Sequence, residues 1–257
     1  VLWTWGYNEH GQLGDGTKTD SYTPVKVMEN VVSVSCGQFF TAAITSDGAL
    51  WMWGDNNLGE LGNGLEGNDT YKAPAYLATI QTEPVKVLSN VKAVSCGTDG
   101  AAAITSDGSL YTWGSNNYGQ VGSGGTSNYV KYSGKNNQYE THLQTVPLKI
   151  MEDAVLVSCG SEYCGAVKKD GSLWMWGVTG GRYGSEDGSY TFITGSLFGT
   201  ESYGNAHSGW VCYETRPVKV MDGVKSVNCG GAVTAIIKSD DSLWMCGDNR
   251  WGSLGDG

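Results

Sequence analysis

Residues 34–54 read Val34-Ser35-Cys36-Gly37-Gln38-Phe39-Phe40-Thr41-Ala42-Ala43-Ile44-Thr45-Ser46-Asp47-Gly48-Ala49-Leu50-Trp51-Met52-Trp53-Gly54. Two β-prone runs, 42–45 and 50–53, flank Asp47-Gly48, the strongest short-range signal for a β-hairpin. A two-residue type I′ turn there needs positive φ at both central residues. Val-Ser-Cys-Gly, just before the hairpin, supplies a third strand. The same string returns at 94–97 and 157–160, with Val227-Asn228-Cys229-Gly230 as a fourth copy. Leu-aromatic-x-Trp-Gly recurs at 2–6, 50–54, 110–114 and 173–177, and again as Leu243-Trp244-Met245-Cys246-Gly247.

Working outward, a Pro-x-Lys-Val/Ile segment precedes each Cys-Gly string, at 24–27, 84–87, 147–150 and 217–220. A Gly-rich tail follows the Trp-Gly, as in Asn8-Glu9-His10-Gly11-Gln12-Leu13-Gly14. Each unit thus predicts four short strands. So small a sheet cannot bury both faces alone, and radial stacking as propeller blades buries them against neighbours. The expected fold is all-β, a β-propeller of four-stranded antiparallel blades. Four Cys-Gly strands against five Trp-Gly strands predict about four complete blades plus partial blades at both ends, a piece of a larger ring. Repeat strands are expected near 1–14, 24–62, 84–122, 147–184 and 217–257. The cysteines recur at intervals of 60, 63 and 70 residues, beyond the ~40–50 of common propeller repeats. The surplus falls in insertions at 63–83, 123–146 and 185–216.

These motifs resemble the repeat of the regulator of chromosome condensation (RCC1) family. Trp5-Gly6-Tyr7-Asn8-Glu9-His10-Gly11-Gln12-Leu13-Gly14 and Trp113-Gly114-Ser115-Asn116-Asn117-Tyr118-Gly119-Gln120-Val121-Gly122 match its Trp-Gly-x-Asn-x-x-Gly-Gln-Leu-Gly almost throughout. The resemblance implies a propeller, with rings of about seven blades usual within the general range of ~4–8. Two departures stand out. The His-Thr that often follows Cys-Gly in the family is replaced by Phe40-Thr41, Gly100-Ala101, Cys164-Gly165 and Val233-Thr234. The fourth tail is degraded to Gly177-Val178-Thr179-Gly180-Gly181-Arg182-Tyr183-Gly184.

Composition narrows function. The 257 residues hold 39 Gly, 10 Trp and 14 Tyr, and a net charge of −10. An acidic surface without a Lys/Arg stripe argues against nucleic acid and anionic membrane as partners. No apolar run approaches the ~18–20 residues of a membrane span. The recurrent Trp residues read as packing between sheets. Cys36, Cys96, Cys159 and Cys229 occupy one blade position and read as buried small hydrophobes, with Cys164 and Cys212 left over as a pair to test. His10, His142 and His207 lack a recognisable nucleophile or acid partner, and no cysteine or histidine spacing fits a metal. No catalytic, cofactor or metal site is expected.

The insertions carry the functional expectation. They share one point of the repeat, so they emerge on one face. Tyr71, Tyr76, Tyr129, Tyr132, Tyr139, Tyr190, Phe192, Tyr203, Trp210 and Tyr213 lie in or beside them, with Phe198, among Ser, Gly, Asn and Thr. Tyr with Ser, Gly and Asn suits binding loops, since Tyr gives contact area at little entropic cost. The expected role is non-enzymatic binding of a macromolecule, protein first and glycan second. Nucleotide exchange on a small GTPase, known from one branch of the family, and a glycan-binding or glycan-active surface protein are the alternatives. Insert composition and low Lys point to a bacterial surface or secreted protein, against which stands the odd cysteine count.

Overall fold

A computed structural model describes residues 1–65, 80–125, 129–133, 138–184, 190–193, 198 and 211–257. Among these there are strands and turns and no helix. The first sheet pairs β1 (Leu2–Gly6) with β2 (Ser21–Met28). The second runs β3 (Val31–Cys36), β4 (Phe40–Thr45), β5 (Leu50–Gly54), β6 (Gln81–Leu88). The third runs β7 (Val91–Cys96), β8 (Gly100–Thr105), β9 (Leu110–Ser115), then β11 (Gln138–Met151), with β10 (Tyr129–Ser133) paired outside it. In the fourth, β12 (Ala154–Cys159), β13 (Tyr163–Lys168) and β14 (Leu173–Gly184) are followed by β16 (Val211–Met221), and β15 (Tyr190–Ile193) also pairs with β14. The last holds β17 (Val224–Cys229), β18 (Val233–Lys238) and β19 (Leu243–Gly247).

The fold class is as expected, a propeller of antiparallel blades, but the blade boundary shifts. Each Pro-x-Lys strand bonds to the Trp-Gly strand before it: Trp51 faces Lys86, and Trp174 faces Lys219. It is the outer strand of the preceding blade. Three blades are therefore complete, flanked by a two-stranded and a three-stranded sheet. Strand order in the chain does not reveal this, because the Pro strand is a neighbour in sequence of both blades.

The Asp-Gly turns also differ from expectation. Gly48 N–H donates to Thr45 O at 2.8 Å, Gly48 has φ +79°, and Asp47 is not among the residues with positive φ. This is a three-residue hairpin loop, a type I turn closed by a left-handed Gly bulge. Asp47 Oδ1 accepts from Thr45 Oγ1 at 2.6 Å, so its side chain replaces the second positive φ as the organiser of the turn. In the last copy Asp241 stands in the Gly place and takes φ 65°.

Small residues let the sheets approach. Ala42, Ala43, Ala102, Ala103 and Ala166 are fully buried, as are Leu50, Leu110 and Leu173. Trp53, Trp113 and Trp176 are buried too, and each indole N–H reaches the tail of the preceding blade. They donate to Gln12 O at 2.9 Å, Glu60 O at 2.8 Å and Gln120 O at 2.8 Å. The Trp before the Gly in β5, β9 and β14 is thus a pin between blades. A Cβ on Gly14 or Gly62 would sit 2.5 or 2.8 Å from such a ring, and both glycines have positive φ.

The Ser of Val-Ser-Cys-Gly is a second pin. The innermost strand has no partner on one side, so its amides need acceptors from elsewhere. Ser35, Ser95 and Ser158 Oγ accept from the amides of Cys96, Cys159 and Cys229, at 2.9, 2.9 and 2.8 Å. The bonds run from each blade to the next. Cys159 and Cys229 are buried as expected, Cys96 is half-buried and Cys36 is exposed. The reason for Cys36 is positional: the two-stranded sheet before it has no Cys-Gly strand to cover it. The Cys164–Cys212 pair is not brought together. They lie on opposite sides of β14, facing Trp176 and Gly180. Cys164 faces Cys159 instead, both free thiols, and a sulfur hydrogen bond with burial holds the Cys159 thiol well above its ordinary pKa.

Candidate interaction surface

Antiparallel pairing fixes which loops share an end of the blades. The Asp-Gly hairpins lie at one end. At the other lie the turns after each Cys-Gly and the tails with their insertions. The two loop types are tied together there. Asp55, Ser115, Val178 and Asp248 amides donate to Phe39, Asp99, Glu162 and Ala232 carbonyls at 2.8–2.9 Å. Four of the five tails are closed by a buried or half-buried Asn, and the degraded tail at 177–184 has none. Asn8, Asn56, Asn116 and Asn249 Oδ1 accept from the amides of Leu13, Leu61, Val121 and Leu254 at 2.9–3.1 Å. Tails then cross to the next blade, where Gly16, Gly64 and Gly124 donate to Thr82, Thr145 and Thr215 carbonyls. The insertions therefore spring from a rigid base.

On this base the first two blades present an aromatic cluster. His10 stacks on Phe39 with ring centroids 4.3 Å apart and planes at 16°. His10 Nδ1 meets Asp55 Oδ2 at 3.1 Å, which fixes the ring. Tyr7, 46% exposed, lies 6.2 Å from His10 and 6.4 Å from Phe39. Beside it is a buried acid, Glu60, at the place where other copies carry Gln12 and Gln120. Its Oε2 accepts from Leu58 N–H at 2.7 Å, as Gln120 Oε1 does from Tyr118 N–H. Burial, aided by the charges of Asp55 and Asp99, pushes the Glu60 carboxyl up to about 8. Asp99 is raised too, first by burial and then by Asp55. Glu60 is legible in the sequence only as a Gln-to-Glu change between repeats.

Of the residues expected on this face, Tyr71, Tyr76, Tyr203 and Trp210 lie outside the described residues. Tyr129, Tyr132 and Tyr139 are on the β10–β11 hairpin, where Tyr132 and Tyr139 are direct partners in register. Tyr190 and Phe192 are on β15, opposite Gly184 and Arg182. Tyr213 is half-buried on β16, its ring edge-on to Tyr118 at 6.2 Å. Phe198 is 1% exposed and joins the core beside Tyr163, with centroids 6.5 Å apart. At least that insert residue covers the blade rather than meeting solvent.

Comparison with known proteins fits this geometry. The family model for the regulator of chromosome condensation (RCC1) repeat matches residues 1–44, 47–104 and 107–167, and a second RCC1 repeat model matches 31–60 and 91–120. The ultraviolet-B receptor UVR8 of Arabidopsis thaliana is 28% identical over 72% of this chain and 38% of its own length. The human E3 ubiquitin-protein ligase HERC2 is 32% identical over 68% of this chain and 4% of its own. RUG3, a mitochondrial RCC1 domain-containing protein of Arabidopsis thaliana, is 33% identical over 67% of this chain and 33% of its own. The chain thus spans less than two fifths of these relatives, all eukaryotic, whereas insert composition pointed to bacteria. Among solved structures, human WBSCR16 superposes with a TM-score of 0.70 at 20% identity, covering 98% of this chain and 58% of that one. Yeast RCC1 (Prp20), solved bound to Kap60, gives 0.69 at 19%, covering 99% and 54%. With the repeat matched over more than half its length and the blades built as described, the chain belongs to the regulator of chromosome condensation (RCC1) repeat family.

Proposed function

We propose that this chain is a protein-interaction propeller whose partner docks on the end of the blades that carries the insertions. One observation carries the reading. The strands bordering the third and fourth insertions, β11, β14 and β16, run 14, 12 and 11 residues, against eight for β2 and β6. The extra length lies at one end, and β10 and β15 widen it. A crest of this kind offers backbone and Tyr-rich loops to a partner while the pinned blades hold it rigid, the arrangement a binding scaffold needs. Support by analogy comes from yeast Prp20p, which has been studied for binding to Gsp1p and histones. A protein partner fits the crest better than a glycan, and the reading is non-enzymatic.

The test is affinity capture with the intact protein and with a version whose second, third and fourth insertions are cut to the length of the first. Partners lost on trimming, with circular dichroism unchanged, support the crest as the docking site. Partners retained move binding to the hairpin end or the central channel. A captured small GTPase whose bound nucleotide leaves faster with the protein present would favour exchange.

A further inference from the structure

Two free thiols face each other on the inner strands of the fourth blade. Cys159 on β12 and Cys164 on β13 are direct partners in register. Gly160 N–H donates to Tyr163 O at 2.8 Å, so 160/163 is the hydrogen-bonded pair of the turn and 159/164 is the non-hydrogen-bonded pair beside it. Pairs of that kind hold their Cα atoms about 4.5 Å apart with the side chains close, inside the ~4.4–6.8 Å that a disulfide spans. The Cys159 thiol is already hydrogen-bonded to Cys164. In the other blades the partner of Cys36 is Thr41, that of Cys96 is Ala101 and that of Cys229 is Thr234. Thr41 and Thr234 use their hydroxyls, on Gln12 O and Tyr163 Oη. Ala101 has no such group, so packing at this place does not require a thiol.

The seam between the third and fourth blades also leaves these thiols a way in. In the second and fourth blades an aromatic ring covers the glycine of Cys-Gly: a Cβ on Gly37 would run into the Phe40 ring, and one on Gly160 into the Tyr163 ring. In the third blade Gly100 stands at the place of Phe40 and Tyr163. The atoms nearest a Cβ on Gly97 belong to Gly160, Cys159 and Gly100, and none is part of a ring. A cavity of about 20 Å³ remains there, lined in part by Gly97, Gly100, Trp113, Tyr163 and both cysteines. That exceeds the ~10–15 Å³ which one water needs. Cys159 and Cys164 are 8% and 7% exposed, so neither is sealed.

We propose that Cys159 and Cys164 form a redox site, which hydrogen peroxide entering through this cavity converts to a disulfide. One thiolate sulfur attacks a peroxide oxygen: the S–O bond forms, the O–O bond breaks, and the released hydroxide leaves as water with the proton of that thiol. The second sulfur then attacks the sulfenic sulfur. The S–S bond forms, the S–O bond breaks, and the oxygen leaves as a second water with the proton of the second thiol. Two thiols are thus oxidised by two electrons, and one peroxide is reduced to two waters. Peroxide is little larger than water, whereas a disulfide of glutathione size does not fit a cavity of about 20 Å³. The bond to Cys164 and then burial hold the Cys159 thiol well above its ordinary pKa, so the first step is slow. The disulfide ties the turn 160–163, where Glu162 O accepts from Val178 N–H at 2.9 Å. Oxidation therefore acts at the base of the insertion end, whatever docks there.

For the test, the full chain is reduced, freed of reductant, and exposed for hours to hydrogen peroxide or, separately, to glutathione disulfide. Remaining thiols are blocked with N-ethylmaleimide, and tandem mass spectrometry follows cleavage after Glu162, which separates the two cysteines. Peroxide is expected to yield a bridge between Cys159 and Cys164 that dithiothreitol reverses, with circular dichroism unchanged. Relative to modification of the exposed Cys36 in the same sample, glutathione disulfide should form the bridge at least ~10-fold more slowly, since reactivity follows access. In Cys164→Thr, which places there the residue of neighbouring blades, peroxide should leave Cys159 without a bridge to any other cysteine. Three results would each overturn the proposal. They are oxidation of Cys36 with Cys159 and Cys164 left as thiols, a bridge from Cys159 to Cys96 or Cys229, and a bridge made as readily by glutathione disulfide.

Discussion

Replacing Glu60 by Gln should remove a large pH dependence of stability. The Glu60 side chain is 5% exposed and its carboxyl is raised from an ordinary value of 4.5 to about 8. In that interval the unfolded chain has lost the proton and the folded chain keeps it. Stability then falls as pH rises, by about 1.4 kcal/mol per unit. The contribution is full below pH 4.5, declines through the interval, and is spent once the folded carboxyl ionises above pH 8. Between pH 5 and 7.5 the loss amounts to about 3 kcal/mol. Gln keeps the bond that Glu60 makes to Leu58 N–H, since Gln12 and Gln120 make the same bond to His10 and Tyr118 amides. Other carboxylates titrate alike in both proteins and cancel in the difference. Urea unfolding followed by Trp fluorescence at several pH values gives that difference directly. The Glu60→Gln protein should gain about 3 kcal/mol over the parent on going from pH 5 to 7.5. Parallel pH profiles, agreeing within ~0.5 kcal/mol, would mean that the carboxyl is solvated or paired, and that burial does not govern it.

Three further outcomes are expected. Ser158→Ala leaves the buried Cys229 amide without its acceptor and should cost about 1–3 kcal/mol, read by denaturant unfolding, with Cys229 amide exchange accelerated. Gly252→Ala, with open space around the new methyl, should cost only the strain of φ +71°, about 1 kcal/mol. Gly62→Ala has similar strain but drives a methyl to 2.8 Å from the buried Trp113 ring, adding about 1–3 kcal/mol of overpacking; equal losses in the two variants would contradict this. Trp176→Phe should lower stability by about 2–4 kcal/mol through the lost volume and indole bond, whereas Trp51→Phe, on a half-exposed ring, should cost less than half of that in the same assay.

The repeat made the fold legible, because strands, turns and their order are written in local sequence. Blade membership was not, since it depends on which of two neighbours the Pro strand bonds. The hairpin type was misread for a related reason: Asp47 supplies a side-chain acceptor that Asp-Gly pattern alone does not distinguish from a positive φ. Ser35 and its copies were visible as a constant letter, but their acceptor role spans about sixty residues and needs the stacked sheets. The site is less legible still. Tyr content marked the insertions, yet Phe198 turns inward and Tyr213 leans on Tyr118, because an aromatic in a loop lowers its free energy equally by covering a blade. Glu60 came into view only when repeats were compared position by position.

The pin between blades has a consequence for rearranging the chain. Each pin has two halves, the tail of one blade and the second Trp of the next, and the two are lost together. The tail at 177–184 is degraded, and the Trp that should meet it is Cys246. The unit that varies as one is thus the seam and not the repeat. A segment cut at the boundaries of a repeat would carry two half-seams and match neither new neighbour. Cutting after Trp-Gly instead, as in residues 55–114, keeps the tail bearing Glu60 and Gly62 with Trp113, the ring they receive. Such a cassette could be spliced between other blades with its own seam intact, and the near-constant Ser of its host would close the inner strand.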